Sequence, residues 1–179
     1  PSTSEWNAVT YSADDDQYVA VAGNSIAVAT SPDGITWTSR TIPTGSDDAR
    51  AIGYGNGIYV VPYYSSNDVA TSSDGITWTF QSNVLNNTRD WSDIAFGNGT
   101  FVLVQIGTNT SEFSTNGTTW TASTLPSFTD WTSIAFGNGT FVTVSGVSSA
   151  STAGAYSTNN GASWTASTLP ASDYWSSVA

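Results

Sequence analysis

The chain has 179 residues, 39% of them apolar and 13% aromatic, enough to bury a core and too apolar for a disordered polymer. It contains no Cys, Met, His or Lys, which excludes Cys/His zinc sites, cysteine nucleophiles, Ser-His-Asp triads, imidazole acid–base chemistry and disulfides. Fourteen acids against three arginines give a net charge of −11, which repels a phosphate backbone and argues against nucleic acid as a partner.

In chain order, WNAVTYSADDDQYVAV at 6–21 predicts two strands around an acidic turn. The short strands AVATS and TWTSR then flank the turn in SPDGITWT at 31–38. ARAIGYGNGIYVVP at 49–62 is followed by SSDGITWT at 72–79, and WSDIAFGNGTFVLV at 91–104 by STNGTTWT at 114–121. WTSIAFGNGTFVTV at 131–144 precedes STNNGASWT at 157–165, and WSSVA at 175–179 begins the series again. Starts at 6, 49, 91, 131 and 175 lie 43, 42, 40 and 44 residues apart, the spacing of a repeat architecture. Within each unit apolar and polar residues alternate, GNG supplies a tight hairpin because Asn and Gly tolerate positive φ, and no helical periodicity appears. Each unit reads as a four-stranded antiparallel meander.

Meanders at this period are the blades of a β-propeller, so the fold class is all-β, with four blades visible. Their expected limits are about 6–48, 49–90, 91–130 and 131–174, with 175–179 as the first strand of a further blade in a longer chain. Inner strands covered on both faces explain why YVVPYY and FVLVQ are almost continuously apolar.

The repeated turn resembles the Asp-box, or BNR repeat, with the pattern Ser-x-Asp-x-Gly-x-Thr-Trp. Ser157, Asn159, Gly161, Ser163 and Trp164 match its full spacing, with Asn for Asp and Ser for Thr. Ser31, Asp33, Gly34 and Trp37, then Ser72, Asp74, Gly75 and Trp78, then Ser114, Asn116, Gly117 and Trp120 form copies one residue shorter. The longer phrase is similar to propellers of bacterial and phage surface proteins, and more distantly to sialidase and photosystem-assembly-factor propellers. That resemblance places the box on the outer turn between third and fourth strands, away from the usual ligand face. Read from its chemistry, the Asp accepts hydrogen bonds from its own turn and the four tryptophans lie between blades. The competing reading, metal ligand or catalytic acid, must accommodate two copies that carry Asn, which does no proton chemistry.

In a meander the GNG hairpins and Asp-boxes share one end, and the irregular loops share the other, where binding is expected. There Tyr63, Tyr64, Phe128 and Tyr174 can stack on sugar rings, with Asp47, Asp48, Asn67 and Asp68 as hydrogen-bonding partners; the alternative is that the aromatics pack under loops or between blades. Asp14, Asp15 and Asp16 are either a solvated acidic turn or weak calcium ligands, and no other metal or cofactor is expected. Candidate glycosylation sequons begin at Asn86, Asn98, Asn109, Asn116 and Asn138.

These features predict a non-catalytic structural or adhesive module at an extracellular, cell or virion surface. It would bind a glycan or protein surface within a homo-oligomer or larger assembly, without inserting into a membrane. Two alternatives are a sialidase-like glycoside hydrolase and an intracellular assembly factor. Sialidases use three clustered arginines, a Tyr nucleophile and a Glu; here only Arg40, Arg50, Arg89, Glu5 and Glu112 are available.

Overall fold

A computed structural model describes residues 5–43, 48–146 and 149–179; Asp47 lies outside them. The described residues form sixteen strands and no helix. Blade 1 contains β1 (Glu5–Ser12), β2 (Gln17–Gly23), β3 (Ala27–Ser31) and β4 (Thr38–Thr41); blade 2 contains β5 (Gly53–Gly55), β6 (Ile58–Pro62), β7 (Val69–Ser72) and β8 (Thr79–Gln81). Blade 3 contains β9 (Trp91–Gly97), β10 (Thr100–Gln105), β11 (Thr108–Ser114) and β12 (Thr121–Thr129); blade 4 contains β13 (Trp131–Gly137), β14 (Thr140–Ser145), β15 (Ser151–Ser157) and β16 (Thr165–Asp173). Every sheet pairs its strands in sequence order, antiparallel throughout, so the chain is a β-propeller of four blades.

The first hairpins of blades 2, 3 and 4 share one two-residue turn, while blade 1 uses the longer turn Ala13–Asp16. Asn56–Gly57, Asn98–Gly99 and Asn138–Gly139 all have positive φ at both residues, the backbone that matches the right-handed twist of two flanking strands. Beside each turn an aromatic faces another across the strands: Tyr11 with Tyr18, Tyr54 with Tyr59, Phe96 with Phe101 and Phe136 with Phe141. Their ring centroids are 4.6–4.8 Å apart, within the range of favourable tilted pairs.

The blades pack through their first strands, β1 on β5, β5 on β9 and β9 on β13, and no comparable packing joins blade 4 back to blade 1 among the described residues. Three cores fill the junctions. Val19, Val21 and Val28 of blade 1 meet Tyr59, Val61 and Trp78 of blade 2. Val60 and Val69 of blade 2 meet Phe101, Leu103 and Trp120 of blade 3, and Val102 and Val104 meet Phe141 of blade 4 with Trp164 packed alongside. The apolar second strands β6 and β10 are therefore covered on both faces, as their composition requires.

Three of the four Asp-box tryptophans, Trp78, Trp120 and Trp164, pack backward onto the preceding blade. Trp78 and Trp120 are 8% and 7% exposed, which for so large a side chain is worth about 3 kcal/mol each. Trp164 is half-buried and donates its indole N–H to Ser111 Oγ and Ser123 Oγ. Trp37 departs from the expectation of four interblade indoles: it is partly exposed and lines an open apolar cleft of about 400 Å³, since no described blade covers that face of blade 1.

Residues after β16 carry no strand pairing but follow the inner wall. Thr132 Oγ1 donates to the Trp175 carbonyl at 2.7 Å, and Val178 N donates to Ser133 Oγ at 3.3 Å.

Candidate functional site: an axial polar cleft

The Asp-box end is committed to structure. Asp33 Oδ1 accepts from Ile35 N and Thr36 N at 2.8 and 2.7 Å and from Ser31 Oγ, while Ser31 Oγ accepts from Gly34 N. The bonds from Thr36, then Ile35 and Ser31, hold the Asp33 carboxyl down at about 2. Asp74, Asn116 and Asn159 accept the corresponding bonds, so Asn substitutes because only an acceptor oxygen is required. Gly34, Gly75, Gly117 and Gly161 all take positive φ.

The acidic turn of blade 1 is a latch. Asp14 accepts from Tyr54 at 2.8 Å, Asp15 from Tyr59 and Ser12, and Asp16 from Tyr11. Tyrosine hydroxyls from blade 2 thus take two of the three carboxylates proposed as calcium ligands, and among the described residues no three acids gather as a metal site. Burial raises the Tyr54 and Tyr59 hydroxyls.

The opposite end holds the candidate site. The residue after each unit's starting position is Asn7, Arg50, Ser92, Thr132 or Ser176, one from each blade and one from the tail. All five line a cleft of about 370 Å³ near the inner strands, together with Glu5, Asn24, Asp48 and Ile106. Three of them also tie their blade to the next: Asn7 Nδ2 donates to Ala49 O at 3.3 Å, Ser92 Oγ to Trp131 O at 2.7 Å and Thr132 Oγ1 to Trp175 O.

Arg50 breaks this pattern. Its Nε donates to Asp48 at 3.0 Å and its guanidinium lies 3.4 Å from the Tyr64 ring centroid. The ion pair fixes a planar donor group at the cleft wall, with Tyr64 as its stacking platform. Across the cleft, Asn24 Nδ2 donates to Glu5 Oε2 at 3.2 Å. Amides, hydroxyls, one guanidinium and two carboxylates therefore converge in one concavity, the composition of a site for a polar, hydroxyl-rich ligand.

The predicted ligand-face residues separate into groups. Tyr64 borders the site through Arg50. Tyr63 does not reach a ligand surface: it is 0% exposed and donates to the Pro43 carbonyl, because an isolated bridge to Ala49 carries its strand past Pro62 and turns its side chain into the core. Asn67 donates to Asn83 Oδ1, and Asp68 accepts from Asn83 N and Ser66 Oγ, so both pin the linker into blade 3. Phe128, near the end of β12, and Tyr174, just after β16, are 77% and 64% exposed. Asn7, Ser92 and Thr132 were missed by residue type alone; their only signal was a shared place in the repeat.

The three arginines do not share one site: Arg50 lines the axial cleft, Arg89 a separate cleft with Ser65 and Asp90, and Arg40 lies on the outermost strand of blade 1. Of the sequon asparagines, Asn98 and Asn138 are exposed at hairpin tips, Asn116 is exposed in its box and Asn109 is partly buried on β11. Asn86 donates Nδ2 to Glu112 Oε2 at 2.9 Å, so its amide is already committed.

No protein-family model matches the chain, and no curated protein matches it by sequence. Solved structures do. Virginiamycin B lyase from Staphylococcus aureus superposes with a TM-score of 0.81 at 16% identity, over 96% of this chain and 58% of that one. YCF48 bound to a D1 peptide gives 0.71 at 15% identity, over 96% and 56%, and a GH74 enzyme of Niastella koreensis gives 0.68 at 19%, over 92% and 24%. These neighbours are β-propellers, and at such identities the likeness shows the fold alone. The chain spans a little over half the length of the lyase and of YCF48.

Proposed function

We propose that the protein is a non-catalytic binding module, a propeller of the Asp-box kind, that holds a neutral glycan in its axial cleft as an adhesive or structural part of an extracellular, fibre or virion-surface protein. The observation that carries this reading is Arg50: unlike its register counterparts Asn7, Ser92 and Thr132 it is turned to Asp48 and Tyr64 and presented, braced by them, at a wall shared with Asn7, Asn24, Ser92 and Thr132. Sugar hydroxyls both donate and accept, which suits a wall of amides, hydroxyls and carboxylates. The net charge of −11 disfavours acidic sugars. Sialidase-type chemistry is a weaker reading, since the arginines occupy three different places. The mixed neighbours, two named as enzymes and one bound to a peptide, favour neither reading by themselves.

The test is a panel of neutral and sialylated oligosaccharides titrated calorimetrically, alongside hydrolysis assays on the same panel. The reading predicts saturable binding of a neutral sugar, loss of at least tenfold in affinity on Arg50→Ala, and no turnover. Binding unchanged by Arg50→Ala, or hydrolysis of any member, would overturn it.

A further inference from the structure

Arg89 carries a guanidinium that neither the blade packing nor the axial cleft uses. It is exposed in the linker from β8 to β9, and among the described residues its side chain has no hydrogen-bond or ion-pair partner, whereas Arg50 is held by Asp48 and Tyr64. The backbone beneath it is fixed: Arg89 forms an isolated bridge with Ser66, and its carbonyl accepts from Trp91 N at 3.1 Å. Around it lies a cleft of about 300 Å³ with walls from three segments, Ser65 on the β6–β7 loop, Thr88 and Asp90 on the linker, and Ile106 and Gly107 on the β10–β11 turn. These segments are tied together, since Ile106 N donates to Asp90 O at 3.0 Å and the Ser65 hydroxyl donates to the Asp90 carboxylate. Ser65 and Gly107 both take positive φ, a backbone unfavourable for Ser65 and held here at the mouth of a concavity.

Three observations join this cleft to the axial one. Ile106 lines both, so the two concavities meet at one half-buried apolar side chain. Tyr64 spans them: its ring lies under the Arg50 guanidinium, and burial, followed by the hydrogen bond to Asp90, raises its hydroxyl. The position before each unit's start also carries a carboxylate in every blade, Glu5, Asp48, Asp90 and Asp130. Glu5 and Asp48 line the axial cleft and Asp90 the Arg89 cleft, so one step along the rim brings the same kind of acceptor into the next concavity.

The geometry points to one elongated groove, in which a linear neutral oligosaccharide sets one sugar unit in the axial cleft, crosses Ile106 and places a further unit against Arg89, Thr88 and Asp90. This inference rests on the glycan reading of the axial cleft and names its class of ligand, a chain bound along its length and not a single terminal sugar. Each cleft is at the lower end of the volumes that enclose a small ligand, so neither accommodates a long chain alone. The chemistry of the second cleft suits the task. Arg89 offers a planar fork of donors to adjacent hydroxyls, and Asp90 and Thr88 supply acceptors. One guanidinium and one carboxylate leave the cleft without net charge, which matches a neutral ligand. Ile106 gives the apolar C–H face of a sugar ring a surface to lie on at the crossing.

Calorimetric titration with malto-, cello- and xylo-oligosaccharides of two, four and six units tests the groove in wild type, Arg89→Ala and Arg50→Ala. Arg89 is exposed and unpartnered, so Arg89→Ala should keep the wild-type thermal midpoint. In the series that binds, affinity should rise at least tenfold from two units to four. Arg89→Ala should abolish that rise and leave the two-unit affinity within twofold of wild type, and Arg89→Lys should restore only part of it; Arg50→Ala should weaken both lengths. Equal affinity for two and four units, a rise untouched by Arg89→Ala, or an equal loss at both lengths in Arg89→Ala would overturn the groove and leave the axial site standing. Absence of binding at every length would overturn the axial reading itself, and the groove with it.

Discussion

Trp78 and Trp37 stand at the same point of the same turn, each with its indole N–H bonded to the glycine carbonyl three residues earlier at 3.1 Å. Trp78 is buried against blade 1, and Trp37 is partly exposed. The local motif is identical, so the difference belongs to the neighbour: the box aims a large apolar side chain backward, and the stability gained depends on whether a blade is there to receive it.

The sharpest way to break this comparison is to remove the indoles one at a time in dilute solution. Trp120→Ala and Trp78→Ala should each lower unfolding free energy by about 3–5 kcal/mol in urea titrations, against about 1 kcal/mol or less for Trp37→Ala. Equal losses would show that the turn, and not the junction, uses the side chain.

A second contrast lies between junctions. Asp93 bridges blades 3 and 4, accepting from Ser133 Oγ at 2.8 Å and Ile134 N at 2.9 Å, whereas Ala51 holds that place between blades 2 and 3. Asp93→Ala should cost about 2–4 kcal/mol, because it strands two partly buried donors.

Acidic groups at the two levels of the fold also respond oppositely to pH. Burial raises Asp93 and Glu112 above their ordinary values of 3.8 and 4.5, so protonation favours the fold. Their contribution is fully present below those values and is lost as pH rises through the raised ones. Asp33 and Asp74 are lowered by their turn bonds, so their contribution is present above 3.8 and is lost as pH falls, for Asp33 toward about 2. Glu112→Gln, which keeps an acceptor for Asn86 N, should flatten the decline in thermal midpoint above pH 4.5 and leave the acid limb unchanged. The smallest effect is expected from Asn116→Asp, which converts one box into the form of another; its midpoint near neutral pH should match wild type.

Much of this architecture is visible in the sequence, because every unit repeats its turn chemistry. The GNG hairpins, the box glycines and the uncharged second strands each specify their conformation locally. What a single unit cannot specify is what lies beside it, which is why Trp37 seemed equivalent to Trp120. Tyr63 seemed available because it was assigned to an irregular loop at the binding end, yet the bridge to Ala49 continues the strand alternation as far as its side chain. The axial cleft was hidden for the same reason: Asn7, Ser92 and Thr132 are ordinary polar residues until four first strands bring their register positions together.

The most direct test of the central claim is ¹⁹F NMR of the protein labelled with 5-fluorotryptophan, its eight resonances assigned by single substitutions and each measured in H₂O and D₂O at low concentration. Trp78 and Trp120 should show almost no solvent isotope shift and Trp37 a pronounced one. Equal shifts for all three would contradict the assignment of the box tryptophans to blade junctions.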